Sequence, residues 1–126
     1  MKKILFIEDE SALQKTLSDY LKKEGYEVIS ALDGESGLRL AQTQKPDLIL
    51  LDLILPKMDG FEVLRKLMEN PETKEIPVII LTNLERMEDI GRALELGAKT
   101  YLVKANYTLK EVTEKVKQTL GENAKS

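Results

Sequence analysis

The sequence predicts a doubly wound α/β fold, in which a parallel sheet is covered by helices on both faces. Five apolar runs alternate with five stretches of helical period, the pattern of repeated βα units. Residues 48–56 are apolar except for one carboxylate, Asp52, as expected of a strand buried on both faces. With 126 residues, the chain has the length of one ordinary domain.

Each strand is predicted from an apolar run that ends at a polar or turn residue. The predicted strands cover residues 3–7, 26–31, 48–51, 76–81 and 99–103. Pro56 ends the third run, and Asp59-Gly60 supplies turn chemistry and a helix start. We expect one domain over residues 1–121 and a short flexible tail over residues 122–126.

Capping residues and apolar stripes predict the five helices. Ser11 with Gln14 is typical of a capping box for the first helix, and Thr108 with Glu111 of a second box for the fifth. Gly25 and Gly97 are natural helix stops. The second helix opens at Asp33-Gly34 and runs to about Thr43, and the third starts near Gly60 with Phe61, Leu64, Leu67 and Met68 facing inward. The fourth is marked by Met87, Ile90 and Leu94.

Composition excludes several classes of function. The chain is 42% hydrophobic and 33% charged with a net charge of −3, and its basic residues are scattered, so no nucleic-acid or membrane partner is indicated. No apolar stretch approaches the roughly 20 residues that span a bilayer. Cysteine and histidine are both absent, so the chemistry must come from carboxylates, hydroxyls and lysines, and a cytoplasmic location is expected.

Four predicted strands end at residues that carry chemistry. The first run meets Glu8-Asp9, the third meets Asp52, the fourth meets Thr82 and the fifth meets Lys104. In a flavodoxin-like sheet of order 2-1-3-4-5, the carboxyl ends of strands one and three adjoin at the switch point where ligands bind. Each residue alone could be a helix cap, a turn hydroxyl or a surface charge. Five of them at one edge of the sheet indicate a site.

Three acids brought together repel one another, and a hard divalent cation relieves that repulsion. Oxygen ligands without histidine or cysteine suit Mg²⁺, which favours phosphate as a further ligand. An aspartate can be a nucleophile while an ammonium and a hydroxyl contact phosphoryl oxygens. The pattern therefore favours an aspartyl-phosphate site.

These spacings resemble the receiver domain of two-component response regulators, of the stand-alone, CheY-like type, over nearly the whole chain. Proline follows Asp52 by 4 residues, Asp-Gly follows at 59 and 60, Thr82 lies 30 residues beyond Asp52, and Lys104 lies 22 beyond Thr82. Tyr101 stands three residues before the lysine. Each match is weak alone, but together they are specific.

The resemblance implies a role for each residue. Asp52 would accept a phosphoryl group from a sensor histidine kinase or a phosphotransfer protein. Asp9 and Asp52, with Glu8 and the backbone carbonyl of Ile54, would bind Mg²⁺. Thr82 and Lys104 would contact phosphoryl oxygens, and Thr82 with Tyr101 would form the switch. That switch would reshape the surface of helix four, strand five and helix five for a downstream protein or an output domain.

The chain departs from the family pattern at several positions. Ala105 stands where a proline, often after a cis bond, is usual, so we expect a trans Lys104–Ala105 bond because a cis non-proline bond costs roughly 2.5–4 kcal/mol. Asn83 replaces a usually small residue, which leaves the donor range open. Ile54 and Leu84 are apolar where side chains flank the phosphoryl group, so slow self-dephosphorylation is expected.

Other functions stay open at this stage. A non-phosphorylated interaction module would need none of the site chemistry. A haloacid-dehalogenase-like phosphatase would need a second acid two residues beyond Asp52 and a cap, and Ile54 supplies no acid. A flavin-binding domain is disfavoured by the acidic loop after strand one. Charged residues on helix four could support a weak homodimer, namely Arg86, Glu88, Asp89, Arg92 and Glu95.

Overall fold

A computed structural model of the protein describes residues 1–122 as alternating parallel strands and helices. The strands are β1 (Lys3–Ile7), β2 (Glu27–Ala31), β3 (Leu48–Leu51), β4 (Val78–Thr82) and β5 (Thr100–Val103). The helices are α1 (Ser11–Lys23), α2 (Gly34–Gln44), α3 (Gly60–Glu69), α4 (Met87–Leu96) and α5 (Leu109–Thr119), with a short 3-10 helix, Lys104–Asn106, after β5. The sheet order β2-β1-β3-β4-β5 confirms the predicted doubly wound fold.

Alternate side chains of the strands enter two separate cores. Leu5, Ile49 and Ile80 pack with α2, α3 and α4 on one face. Ile4, Leu50 and Ile79 pack with α1 and α5 on the other. Since successive side chains of a strand point to opposite faces, a run that is apolar at every position is what a sheet covered on both sides requires.

Three strands begin one or two residues later than predicted. β2 starts at Glu27, β5 at Thr100 and β4 at Val78. Proline explains the start of β4, because Pro77 has no N–H to donate and contributes only its carbonyl, which accepts from the Ile49 N–H at 3.0 Å. The strand also extends to Thr82, which is therefore part of the sheet rather than of the following loop.

The predicted capping box at the start of α1 is wrong, whereas the one at α5 is confirmed. Glu10 is the N-cap of α1 and its side chain makes no capping bond, while Ser11 is already helical. The carboxamide of Gln14 is instead turned toward the ends of β1 and β2. At α5, Thr108 and Glu111 exchange side-chain-to-backbone bonds of 3.1 and 2.9 Å.

Helices α1 and α4 end near glycines, as predicted, and α4 buries fewer residues than the other α-helices. Gly25 and Gly97 adopt positive φ values of 99° and 117° at the C-terminal ends of α1 and α4.

In α4 only Ala93 is buried, and Met87 and Leu94 are 80% and 45% exposed. The apolar residues that mark α4 in the sequence therefore lie partly on the surface.

The described chain ends at Glu122, the first residue of the predicted tail. Its backbone N–H donates to the Lys117 carbonyl at 2.7 Å, and its carboxylate accepts from the Tyr26 hydroxyl at 2.7 Å. The rest of the predicted tail, residues 123–126, lies outside the described residues. Within residues 1–122, no helix combines the length and apolar character needed to cross a membrane.

Candidate functional site

The strand register brings the predicted site residues to one edge of the sheet. Ile7 pairs with Leu51, so Glu8 and Asp52 are the next residues on two neighbouring strands. Leu51 pairs with Ile80, which puts Thr82 two residues further along β4. Thr82 in turn pairs with Val103, and Lys104 follows. The carboxyl ends of β1, β3, β4 and β5 thus meet as predicted.

Lys104 joins two of the acids by direct ion pairs. Its Nζ lies 3.0 Å from Asp52 Oδ2 and 2.8 Å from Glu8 Oε1, with Glu10 more distant at 3.9 Å. Asp52 is only 3% exposed and Glu8 is fully buried. These contacts are therefore little screened by solvent, in contrast to the surface ion pairs of the helices.

The pKa values of Glu8 and Lys104 are both raised by their surroundings. Burial raises the pKa of Glu8 and the charge of Asp52 adds to that rise, against the opposing contacts from Lys104 and the Glu10 N–H. For Lys104, burial alone would lower the pKa, but the contacts with Glu8 and Asp52 outweigh it and the pKa is raised. The side chain of Lys104 is consequently protonated and positively charged at neutral pH.

The three acids have the spacing of a cation site. Glu8, Asp9 and Asp52 each offer a carboxylate oxygen, and these oxygens lie within 4.8 Å of one another. Glu8 Oε1 is buried, and among the described residues it has the Lys104 ammonium 2.8 Å away as an ion-pair partner but no hydrogen bond. A buried oxygen in that condition is costly, and a hard cation satisfies it. The donor set therefore fits Mg²⁺.

Backbone and hydroxyl groups complete the surroundings of Asp52. The Ile54 N–H donates to Asp52 Oδ1 at 3.2 Å, so the backbone at Ile54 lies against the carboxylate. Thr82 is fully buried, and its Oγ1 accepts from the Leu84 N–H at 3.4 Å. The Tyr101 hydroxyl donates to the Leu84 carbonyl at 2.9 Å, so both predicted switch residues contact the β4–α4 loop.

The environment of Tyr101 disfavours its ionised form. Burial raises its pKa to about 12, and the charges of Asp89 and Asp52 contribute to the same shift. The phenol therefore stays protonated and able to donate its hydrogen bond over the physiological range of pH.

The structure shows the conformation or exposure of each residue that departs from the family pattern. Lys104–Ala105 is trans, as predicted, since no peptide bond in the described residues is cis. Ile54 is 52% exposed at the mouth of the site, Asn83 is exposed, and Leu84 is half-buried. The apolar pair Ile54 and Leu84 thus lies beside Asp52 and Thr82, and the effect of Asn83 on donors stays a prediction.

The close approach of α3 to Asp52 requires glycine at its first position. A Cβ on Gly60 would lie 2.5 Å from Leu53 Cα and closer still to the Asp52 carbonyl oxygen. The Gly60 N–H donates to the Leu53 carbonyl at 2.9 Å, and the side chain of Asp59 caps α3 through the Glu62 N–H. Asp59-Gly60, predicted only as a turn and helix start, also holds the backbone beside Asp52.

Sequence reasoning missed Gln14. It is a buried amide under the acidic loop, with Nε2 contacts to the carbonyls of Phe6 and Glu8. The available signal was its spacing, because position 14 shares a helix face with Leu17 and Leu21. A polar residue on an apolar face is a candidate for a specific buried role.

The chain matches known proteins over nearly all of its length. The family model described as the response regulator receiver domain matches residues 4–117. The alkaline phosphatase synthesis transcriptional regulatory protein PhoP of Bacillus subtilis is 42% identical over 119 residues, which cover 94% of this chain and 48% of that protein. The chain spans about half the length of the curated relatives it matches first.

Solved structures show the same architecture. A CheY-like response regulator receiver domain protein from Methanospirillum hungatei has a TM-score of 0.90 at 30% identity, covering 96% of this chain and 94% of that one. The receiver domain of the sensor histidine kinase PA1611 from Pseudomonas aeruginosa has a TM-score of 0.87 at 29% identity, covering 96% and 98%. The latter was solved with a magnesium ion coordinated in its active site cleft.

Proposed function

Since the chain belongs to the response regulator receiver domain family, we propose that Asp52 is the residue at which it accepts a phosphoryl group. The family membership makes it a signalling domain of a two-component regulator rather than a classical enzyme. The observation that carries the assignment of Asp52 is its position, buried at the end of β3 with Lys104 Nζ 3.0 Å from its carboxylate.

Each neighbouring side chain has a part in the transfer. A carboxylate oxygen of Asp52 forms a bond to phosphorus while the phosphorus–nitrogen bond of a donor phosphohistidine breaks. Lys104 would neutralise charge on the phosphoryl oxygens, and the Thr82 hydroxyl would donate to one of them. Because Lys104 is already paired with Asp52, the ammonium needs little reorganisation to reach a group attached there.

The proposed metal is Mg²⁺, held by Glu8, Asp9, Asp52 and the backbone carbonyl of Ile54. Support comes from the three carboxylate oxygens within 4.8 Å of one another and from the burial of Glu8 Oε1, which has an ion pair with Lys104 but no hydrogen bond among the described residues. When bound, the ion neutralises developing charge on the phosphoryl group. The magnesium ion in the related PA1611 receiver domain supports the choice of metal.

The output surface is proposed to include α4, β5 and α5. Tyr101 on β5 is hydrogen-bonded to the β4–α4 loop through Leu84, and Leu84 also donates to Thr82. Movement of the Thr82 hydroxyl toward a phosphoryl group would break its contact with Leu84 and so release the contact of Tyr101. The donor is proposed to be a histidine kinase or a phosphotransfer protein, and the reader a protein partner or an output domain.

Nucleic acid is not a proposed partner of this domain itself. Its basic residues are scattered and its net charge is −3. DNA binding by a longer protein that contains the chain is compatible with its relatives, since PhoP of Bacillus subtilis is described as a transcriptional regulatory protein. A weak homodimer through the charged residues on and before α4 stays an open alternative, and within one chain Arg86 pairs with Glu88 and Asp89 at the surface.

The test is the intact mass of the protein after incubation with acetyl phosphate, with and without Mg²⁺. We expect a Mg²⁺-dependent gain of one phosphoryl group in the parent. The Asp52→Asn variant is the matched control, since it keeps the size of the side chain and removes the nucleophilic charge, and it should gain nothing.

A second donor guards against a false negative caused by restricted access. If acetyl phosphate fails, a phosphorylated histidine kinase is used in its place, because the exposed Asn83 directly follows Thr82 and leaves the donor range open. Absence of transfer from both donors would contradict the proposal and favour an interaction module that is not phosphorylated.

A further inference from the structure

A buried amide directly beneath the acidic loop has no role in the function proposed above. Gln14 lies in the first turns of α1 and is 6% exposed. Its Nε2 lies 3.0 Å from the Phe6 carbonyl, 3.2 Å from the Glu8 carbonyl and 3.3 Å from the Ala31 carbonyl. The side chain therefore ties α1 to the ends of both β1 and β2.

The acceptor side of the same amide is also fully used. Gln14 Oε1 accepts from the Ser30 hydroxyl at 2.8 Å and from the Ser18 hydroxyl at 3.0 Å. An amide with both donor hydrogens and both lone pairs engaged has one orientation, because any rotation would leave buried polar groups unpaired. The carbonyls, which can only accept, fix which way Nε2 points, and the two serine hydroxyls satisfy Oε1.

The Nε2 group of Gln14 points at the peptide bond between Glu8 and Asp9, two predicted metal ligands. The Glu8 carbonyl belongs to the peptide between Glu8 and Asp9, so its hydrogen bond to Gln14 holds the plane of that peptide. The Glu8 N–H is held separately by the Ala31 carbonyl at 2.9 Å. With both sides of Glu8 restrained, the directions in which the Glu8 and Asp9 side chains leave the backbone are restrained too.

We propose that Gln14 is a positioning residue for Mg²⁺, which holds the Glu8–Asp9 peptide so that the carboxylates converge before the metal arrives. The inference rests on the proposed metal site. Three like charges within 4.8 Å would otherwise drive the loop apart. Polar groups that orient metal ligands without touching the metal typically change affinity by about 10- to 100-fold when they are removed.

The experiment is calorimetric titration of Mg²⁺ into the folded protein, with thermal unfolding measured beside it. Gln14→Met keeps the length of the side chain and removes the amide, and we expect its dissociation constant for Mg²⁺ to rise about 10-fold or more. Thr73→Val is the matched control. Thr73 is 1% exposed and donates to the Leu67 carbonyl at 2.7 Å, in the α3–β4 connection at the opposite edge of the sheet.

The control separates positioning from general stability. Thr73→Val should lower the melting temperature and leave the Mg²⁺ affinity unchanged. An unchanged affinity in Gln14→Met, or an equal loss of affinity in Thr73→Val, would overturn the proposal. If the parent itself binds no Mg²⁺, the proposed metal site fails and this inference fails with it, whereas a parent that binds normally beside an unaffected Gln14→Met variant defeats the inference alone.

A less disruptive variant, Ser30→Ala, tests the proposal if Gln14→Met does not fold. Ser30 is surface-exposed, so Ser30→Ala removes one of the bonds that orient the amide without opening a cavity in the core. A measurable loss of Mg²⁺ affinity in Ser30→Ala, smaller than the loss of about 10-fold expected for removal of the whole amide, supports the proposal. An unchanged affinity there overturns it.

Discussion

At the scale of single residues, the site is organised by an imbalance of charge. Glu8, Asp9 and Asp52 carry three negative charges when ionised, and Lys104 supplies one positive charge. A deficit of two charges is what a divalent cation neutralises, and the pKa of Glu8 is raised, mainly by burial and further by the charge of Asp52. The same contacts place the ammonium where a phosphoryl group on Asp52 would need it.

The lifetime of the phosphoryl group is predicted to be long because apolar side chains flank the site. Ile54 and Leu84 cannot orient an attacking water, whereas Ile54→Asn and Leu84→Glu can. The double variant should lose phosphate several-fold faster than the parent. This gain is smaller than the factor of about 10² or more that a well-placed acid–base group supplies. Loss of label from phosphorylated protein measures the rate.

An exposed leucine away from the site provides the control for that prediction. Leu94→Gln makes a comparable change on α4, where the side chain is 45% exposed, and should leave the rate unaltered. A double variant no faster than the parent would show that the apolar pair does not limit hydrolysis.

At the scale of elements, the connection between β3 and α3 does most to place Asp52. The connection leaves β3 at Asp52 and comes back into contact with the backbone of Asp52 at Gly60, where no Cβ fits. Gly34 meets the loop from the other side, since a Cβ there would collide with the Met58 backbone. Two glycines on two helices thus let backbones pack directly against the loop of the site.

Two glycine-to-alanine substitutions should consequently have opposite effects on stability. Gly60→Ala forces a methyl group against backbone that cannot yield, so the free energy of unfolding should fall by about 1–3 kcal/mol and phosphorylation should slow. Gly91 lies within α4 with open space around it, so Gly91→Ala should raise the free energy by about 0.5–1 kcal/mol. Urea unfolding measures both, and a Gly60→Ala protein as stable as the parent would refute the packing argument.

The elements also show which parts of the structure could be predicted from the sequence. β3 was predicted correctly because burial on both faces leaves an unbroken apolar run, and the convergence of the candidate residues was predicted because parallel strands end at one edge. The capping of α1 was predicted wrongly, because the Gln14 side chain bonds to carbonyls 8 and 17 residues away in the chain. A capping pattern is local, and here tertiary hydrogen bonds compete with it successfully.

At the scale of the whole molecule, the helices are held with unequal strength. α3 buries Gly60, Phe61, Val63, Leu64 and Leu67, whereas α4 buries only Ala93. One further contact links the two, since the Arg92 guanidinium lies 4.1 Å from the centre of the Phe61 ring. The α-helix that buries the fewest residues is therefore α4, whose preceding loop contacts Thr82 and Tyr101, the proposed switch residues.

This inequality predicts that α4 opens more readily than α3 in the native protein. A difference of one buried leucine is worth about 1.5–3 kcal/mol, which exceeds the 1.4 kcal/mol of a tenfold change in equilibrium, so amides of α4 should exchange hydrogen at least about 10-fold faster. Arg92→Ala should speed exchange in α4 further, while Glu95→Ala on the same helix should not. Mass spectrometry of exchanged peptides resolves the two helices. If α4 is as protected as α3, and Arg92→Ala leaves it so, a signal from Asp52 would have to reach the surface by a route other than a loosely held α4.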